Sequence, residues 1–402
     1  MPIHKNNLST ASFGLSVDRN SWREPFAAAL ALAVVMGFGR FAFTGMYPLM
    51  VQEGVMSVST GSLSASANYA GYLAGALLAA KIPPSATGTW TRTALVATVL
   101  CMLALALPIS ASAFIGLRFA AGVASAIGLV CASIWLLNVV GRHNGAPIFF
   151  SGVGTGIAVS AELIAAGNLA GANSGSLWIA LASGAMALAL FAWYPIRSTQ
   201  SKVANRRATA GPVDTRHIVG AWPLIVCNGL AGLGYIITAT YLPLLIHDAL
   251  RDVNPLQIWA MFGLAAIPSC FVWHAVHVRL GTQRAMQWNL ALQAIGVALP
   301  VFRHSAVAYV GSAILVGGTF VGTVTITLPA ARHVAGVVRF NLVAAMTASY
   351  GVGQIVGPLM TSALMAHGNS FNASMKIAAG ALILAAAICQ IRSPRPRKEG
   401  IS

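Results

Sequence analysis

The chain is divided into twelve apolar runs, each long enough to cross a bilayer, and that pattern leaves few folds open. A hydrocarbon core of about 30 Å takes roughly 20 apolar residues per helix. The runs fall at 25–50, 62–81, 93–110, 112–140, 147–171, 175–195, 218–246, 258–278, 285–302, 306–331, 340–366 and 375–392. Inside lipid the backbone must satisfy its own hydrogen bonds, so runs of this length are expected as helices, whereas membrane barrels show alternating segments of about 10 residues. Composition agrees. With 57% hydrophobic and 8% charged residues, the chain carries more apolar surface than one soluble core can hide. A soluble enzyme, a disordered chain and a disulfide scaffold are excluded. The first run is too long for a signal peptide, and no small-residue cleavage site precedes the second, so it is expected to stay as an uncleaved helix.

The net charge of +16 would suggest nucleic acid in a soluble protein. Here the basic residues are spread through short loops between apolar runs, which is the pattern of topology signals. With both termini on one side, nineteen Lys and Arg fall in loops on that side. Three (Arg251, Arg303 and Lys376) fall on the other, and Arg40 and Arg118 lie within runs. The positive-inside rule then places both termini in the cytoplasm of a bacterial inner membrane. The expected organisation is a tail at 1–24, a six-helix half at 25–195, a cytoplasmic linker at 196–217, a second half at 218–392 and a tail at 393–402. The chain is expected to act as a monomer in the lipid bilayer.

No loop holds a Walker pattern, a Ser-His-Asp set or a zinc pattern, so neither an enzyme nor a cofactor is expected. His274 and His277 lie three apart with no third ligand near and read as a polar helix face. The five cysteines, Cys101, Cys131, Cys227, Cys270 and Cys389, all lie in apolar runs and read as small buried side chains.

The two halves repeat each other at an offset of 195: Gly37 and Gly39 match Gly232 and Gly234, Pro48 matches Pro243, and Gly116 and Gly122 match Gly311 and Gly317. A Gly-Val-Gly at 152–154 recurs at 351–353. Two six-helix halves related as parallel repeats are the plan of the major facilitator transporters. The segments Gly37-Phe-Gly-Arg-Phe-Ala-Phe-Thr44, Tyr47-Pro-Leu49, Ser66-Ala-Asn-Tyr-Ala-Gly-Tyr-Leu-Ala-Gly75, Gly232-Leu-Gly-Tyr-Ile-Ile-Thr238 and Gly351-Val-Gly-Gln-Ile-Val-Gly-Pro358 resemble the YbfB/YjiJ-type branch of that superfamily. The resemblance implies an all-α fold of twelve transmembrane helices, with helices 1, 4, 7 and 10 lining a central cavity. Arg118-x-x-x-Gly122 resembles the fourth-helix arginine motif of proton-coupled members. Two departures stand out. The loop Lys81–Arg92 lacks the acid of the usual latch signature, and the fifth run lacks the proline typical of proton-driven drug exporters.

Arg40, Arg118 and Glu162 are the strong charges well inside runs. Such residues normally face a cavity or each other. At 1.5 Å per residue, Arg40 and Glu162 lie about 22 Å from the cytoplasmic edge and Arg118 about 9 Å below the outer edge, so the three share a level. Two readings stand: an ion pair that locks helices one, four and five, or a substrate and proton site in which Glu162 carries the proton. Thr44 and Tyr47 follow Arg40 at helical spacing on one face. The second half supplies Asn228, Tyr235, Tyr241 and Gln354. The substrate-binding set is therefore expected to be Arg40, Thr44, Tyr47, Arg118, Tyr235, Tyr241 and Gln354, with Glu162 for proton coupling. A secondary transporter of a small anionic or zwitterionic solute, working by alternating access with protons, fits this set. A multidrug exporter, a non-transporting sensor on the same scaffold and a channel are the alternatives.

Overall fold

Helix boundaries in the computed structural model follow the caps and glycines that separate the apolar runs. The structure describes residues 22–200, 219–249, 254–334, 338, 342–368 and 370–390. The first helix, α1 (Arg23–Gln52), is π-helical over Ala33–Phe41. Ser57 starts α2 (Val58–Ala79) by accepting from the Thr60 N–H at 3.1 Å, and Ser110 starts α4 (Ala111–Val139) by accepting from the Ala113 N–H at 3.3 Å. Such caps satisfy donors that a helix start leaves open. Between them lies α3 (Thr87–Leu105), and α5 (Ala146–Leu169), α6 (Ser174–Gln200) and α7 (Ala221–Ala249) follow. The Glu53 carboxylate, at the end of α1, accepts from the Ser174 N–H at 2.9 and 3.2 Å and so caps α6 with a charge that suits the helix dipole.

The run Pro255–Phe302 is helical throughout except at Gly281, whose φ of 77° and ψ of 170° divide it into α8 (255–280) and α9 (282–302). A side chain at that φ would be strained, and glycine avoids the penalty. The last helices are α10 (Ala306–Val334), α11 (Leu342–Ala366) and α12 (Phe371–Ile388). Twelve helices are thus present among the described residues. Ten helical stretches, with α8 and α9 counted as one, are long and apolar enough to cross a membrane. The remaining helix, α2, is richer in Ser, Thr and Asn and is not among them.

Two boundaries differ from expectation. The third helix begins at Thr87 rather than at 93, because Thr87 and Thr91 return their hydroxyls to the carbonyls of Pro84 and Thr87 at 2.7 and 2.8 Å. Their polarity is spent within the helix and does not end it. The sixth helix continues to Gln200, into the expected linker. The remainder of that linker and most of both expected tails lie outside the described residues.

Small residues let the helices approach backbone to backbone, and the two halves use them alike. In the first half a Cβ on Gly37 of α1 would lie 2.3 Å from Gly156 of α5, and one on Gly152 would lie 2.1 Å from the Ala29 carbonyl oxygen. In the second half a Cβ on Gly232 of α7 would lie 2.3 Å from the Tyr350 carbonyl oxygen of α11, and one on Gly353 would lie 2.1 Å from that of Gly229. Gly122 of α4 sits against Asn68 of α2, as Gly317 of α10 sits against Phe262 of α8; a Cβ would lie 2.0 and 2.3 Å from the opposing carbonyl oxygens. The repeat read from glycine positions is a repeat of helix contacts at Gly37 and Gly232 and at Gly122 and Gly317, whereas in α5 and α11 the corresponding contacts fall on Gly152 and Gly353, out of the Gly-Val-Gly register. Between the halves, α2 packs on α11 and α5 packs on α8. Gly154 and Gly263 form the centre of the latter contact, 2.5 Å from a built Cβ to the opposing carbonyl. Cys227 and Cys389 touch thiol to thiol at 3.4 Å, joining α7 to the end of α12.

These contacts predict the effect of a single methyl group. Gly156→Ala pushes a Cβ to 2.4 Å from the Ala33 carbonyl oxygen, whereas Gly380→Ala meets nothing within 4 Å. Overpacking of this kind costs about 1–3 kcal/mol. Thermal unfolding in detergent should show a lowered midpoint for Gly156→Ala and an unchanged or slightly raised one for Gly380→Ala.

Candidate functional site

A cavity of about 250 Å³ lies between the halves. Its walls come from α1, α2, α4 and α5 on one side and from α7, α10 and α11 on the other. It extends from Arg40 and Tyr235 to Ile134, Ala331 and Val343. Those last residues sit at the end of α4, the end of α10 and the start of α11, on the face from which α1 enters. Beyond Arg40 the halves are closed. Thr44 of α1 donates to the Ala239 carbonyl of α7 at 2.8 Å. The Tyr69 and Thr240 hydroxyls bond at 2.9 Å, and Tyr241 donates to Ser62 Oγ at 2.8 Å. The cavity is thus a blind pocket, shut on one side of the bundle and directed to the other.

Three of the expected binding residues line it: Arg40, Tyr235 and Gln354. Arg40 is 3% exposed. Its guanidinium lies 4.3, 4.9 and 5.3 Å from the ring centres of Tyr72, Tyr69 and Phe41, close enough for cation–π attraction. Its Nε and Nη2 are buried and have no hydrogen-bond partner. Gln354 of α11 is fully buried and donates through Nε2 to the Tyr235 hydroxyl, while its Oε1 is left unpartnered. Tyr235 stacks on Phe320 at 5.4 Å and on Tyr350 at 5.6 Å, so three rings form one continuous wall.

The other expected residues are placed elsewhere. Thr44 shares the face of Arg40 but sits one turn further along, where α1 already touches α7, so its hydroxyl is spent on the closure. Tyr47 donates to the Val58 carbonyl at 2.6 Å and stacks on Phe43, and Tyr241 belongs to the closure. Neither lines the cavity. Arg118 is 1% exposed and turned away from the cavity. Its Nη1 and Nη2 donate to the carbonyls of Gly39 and Arg40 at 3.1 and 3.2 Å, and its guanidinium lies 4.4 Å from the Phe43 ring centre. It fastens α4 to the end of the π-helical stretch of α1.

Glu162 does not join the arginines. It is exposed and accepts from Gln257 Nε2 of α8 at 3.3 Å. The reason is helical phase. Gly154, Ala158 and Glu162 follow at steps of four on the α5 stripe that faces α8, whereas Gly152 and Gly156 face α1. Depth along the helix was legible in the sequence, but the stripe was not. The expected ion pair of Glu162 with Arg40 or Arg118 is not formed. The ion pair present among the described residues is a loose one, Arg142 with Glu24 at 3.9 Å. Tyr72, Tyr350 and Phe320 line the cavity and were not singled out. The signal for Tyr72 was its spacing of three from Tyr69 on a helix otherwise made of small residues.

A family described as "Uncharacterised MFS-type transporter YbfB" matches residues 32–390. The chain belongs to this family of the major facilitator superfamily. It is an integral membrane transporter and not an enzyme. Its fold is similar to that of a bacterial homolog to the human lysosomal transporter Spinster, solved in an inward-facing and unoccupied conformation. The likeness has a TM-score of 0.62 at 13% identity, over 92% of this chain and 96% of that one. At that identity the likeness concerns the fold. No curated protein matches the sequence.

The position of Arg118 predicts a stability defect. Arg118→Ala forfeits two hydrogen bonds from a charged donor, each worth roughly 1.5–3 kcal/mol, whereas Arg118→Lys can retain one. Unfolding midpoints in detergent should fall in the order wild type, Lys, Ala.

Proposed function

We propose that the protein carries a small organic anion across the bacterial inner membrane by alternating access, with Arg40 as the anion anchor. One observation carries this reading: a guanidinium is held at the blind end of a cavity shared by both halves, with two of its nitrogens buried and unpartnered. An unmet buried donor is costly, and a carboxylate that fills the guanidinium fork meets the need through two parallel hydrogen bonds. Apolar and aromatic walls around a few convergent polar groups suit a small-molecule site. A cationic drug would face like charge at Arg40. In this reading both termini are cytoplasmic, as the distribution of basic loops requires, and the cavity faces the cytoplasm.

Among the described residues lining the cavity, none is a carboxylate or a histidine, so the proposal routes no proton through a side chain there. The exposure of Glu162 supports a position outside the transport path, and Glu162→Gln should keep full uphill accumulation in proteoliposomes. A loss of proton-driven accumulation in that variant would restore it as the proton carrier.

Arg40→Lys keeps the charge and removes the fork. In thermal-shift titrations of purified protein with acetate, pyruvate, malate and benzoate, at least one carboxylate should stabilise the wild type. Arg40→Lys should bind it at least about tenfold more weakly, or near 1.4 kcal/mol. No stabilisation by any of the four, or undiminished affinity in the variant, overturns the anion reading.

A further inference from the structure

We infer that the cavity selects a single-ring aromatic monocarboxylate carrying one hydrogen-bond donor on the ring. This rests on the anion-transport reading and narrows it through size, wall chemistry and the count of unmet polar groups. A benzene-sized ligand occupies a cavity of roughly 150 Å³. The cavity here, about 250 Å³, therefore has room for one ring and its substituents.

The walls favour a flat body. Tyr235 lies nearly parallel to both Phe320 and Tyr350, at interplanar angles of 14° and 19°, and Phe41 meets Phe320 edge-on at 75°. Aromatic groups of this kind gain from offset or edge contact with another ring beyond the area they bury. Met36, on the same wall as Arg40, adds a soft thioether that suits ring edges.

The polar groups set the substituents. Arg40 offers Nε and Nη2 as buried donors, and Gln354 offers Oε1 as a buried acceptor, its Nε2 being engaged by Tyr235. A ligand that satisfies both carries an anion at one place and an O–H or N–H at another. Among the described residues lining the cavity Arg40 is the sole charge. The ammonium of a zwitterion would meet no carboxylate there. A second carboxylate would meet no second cation, because Arg118 spends its guanidinium on the carbonyls of Gly39 and Arg40. Dianions and amino acids are thus excluded, and a donor-bearing monoanion is selected.

The test is a set of equilibrium titrations of the purified full-length protein with benzoate, the three hydroxybenzoates, the methoxy counterpart of the best of them, terephthalate and 4-hydroxyphenylglycine. The best hydroxybenzoate should bind at least about tenfold tighter than benzoate, since a site that hydrogen-bonds a ligand hydroxyl discriminates strongly against its absence. Its methoxy counterpart, which cannot donate, should lose that gain. Terephthalate and the zwitterion should bind at least about tenfold more weakly than benzoate. Gln354→Met should erase the preference, so that the best hydroxybenzoate binds no tighter than benzoate. If benzoate binds in an Arg40-dependent way but the hydroxyl adds nothing, or methoxy serves as well, this inference falls and the anion reading stands. The same holds if the dianion or zwitterion binds as well as benzoate. If no aromatic carboxylate of the set binds, this inference falls, and the anion reading stands or falls with acetate, pyruvate and malate. The ligand series on the native protein decides the matter even if the Gln354 variant fails to fold.

Discussion

Two guanidinium groups are buried in this bundle, and no carboxylate among the described residues forms an ion pair with either. Burying a charge is costly unless it is paired or solvated by dipoles, so the surrounding structure must answer for both. The two answers differ. Arg118 is solvated by backbone: two carbonyls of α1 accept its protons, and Asn68 ties the Arg118 carbonyl to α2 at 2.8 Å. Three helices meet at that one residue, and its side chain holds the stretch of α1 that carries Arg40. Arg40 is surrounded by the rings of Tyr72, Tyr69 and Phe41 and keeps two nitrogens unmet. Arg118 is thus bonded into the frame through both Nη groups, with its Nε unmet, while Arg40 keeps two nitrogens unmet beside a cavity.

The halves agree in packing and disagree in chemistry. Gly37 and Gly232, Gly152 and Gly353, and Gly122 and Gly317 make corresponding helix contacts, so the frame is duplicated. Arg40 and Tyr235 stand at matching positions, 195 residues apart, and both line the cavity. One half contributes the charge there and the other contributes the aromatic wall. Thr44 and Ala239 also match at 195, and they bond to each other across the halves. Residues related by an approximate two-fold axis can touch in this way only near the axis itself, so the closure of the cavity lies on the line about which the halves are related.

Most of the fold was legible because its determinants are local. Apolar length marked the spans, and glycine spacing marked the repeat. The Thr-rich start of α3 was missed because threonine hydroxyls can bond back to their own helix, which residue polarity does not reveal. The continuation from α8 to α9 depends on a single positive φ at Gly281. The site was legible only in part. Arg40, Tyr235 and Gln354 were found through charge and the repeat, but Glu162 was placed by depth when its stripe faces α8, and Arg118 was placed by charge when its partners are carbonyls. Thr44 shares a face with Arg40 yet not a level, and which level closes is decided by the partner half, about which spacing along α1 carries no information.

The closure and Arg40 share a neighbour. The Tyr69 ring lies 4.9 Å from the Arg40 guanidinium, and its hydroxyl bonds to Thr240 of the other half. Each hydrogen bond of the closure is worth only about 0.5–1.5 kcal/mol net, because water can replace it when the halves part. A ligand shifts the balance between open and closed states only by the difference in its interactions with them. Against so shallow a closure, a difference of one or two hydrogen bonds suffices. An anion that engages Arg40 competes with the ring faces for the guanidinium, and Tyr69 is the ring through which that competition reaches Thr240. In the anion-transport reading, Tyr69 is thus a side chain that touches both the anion anchor and the closure.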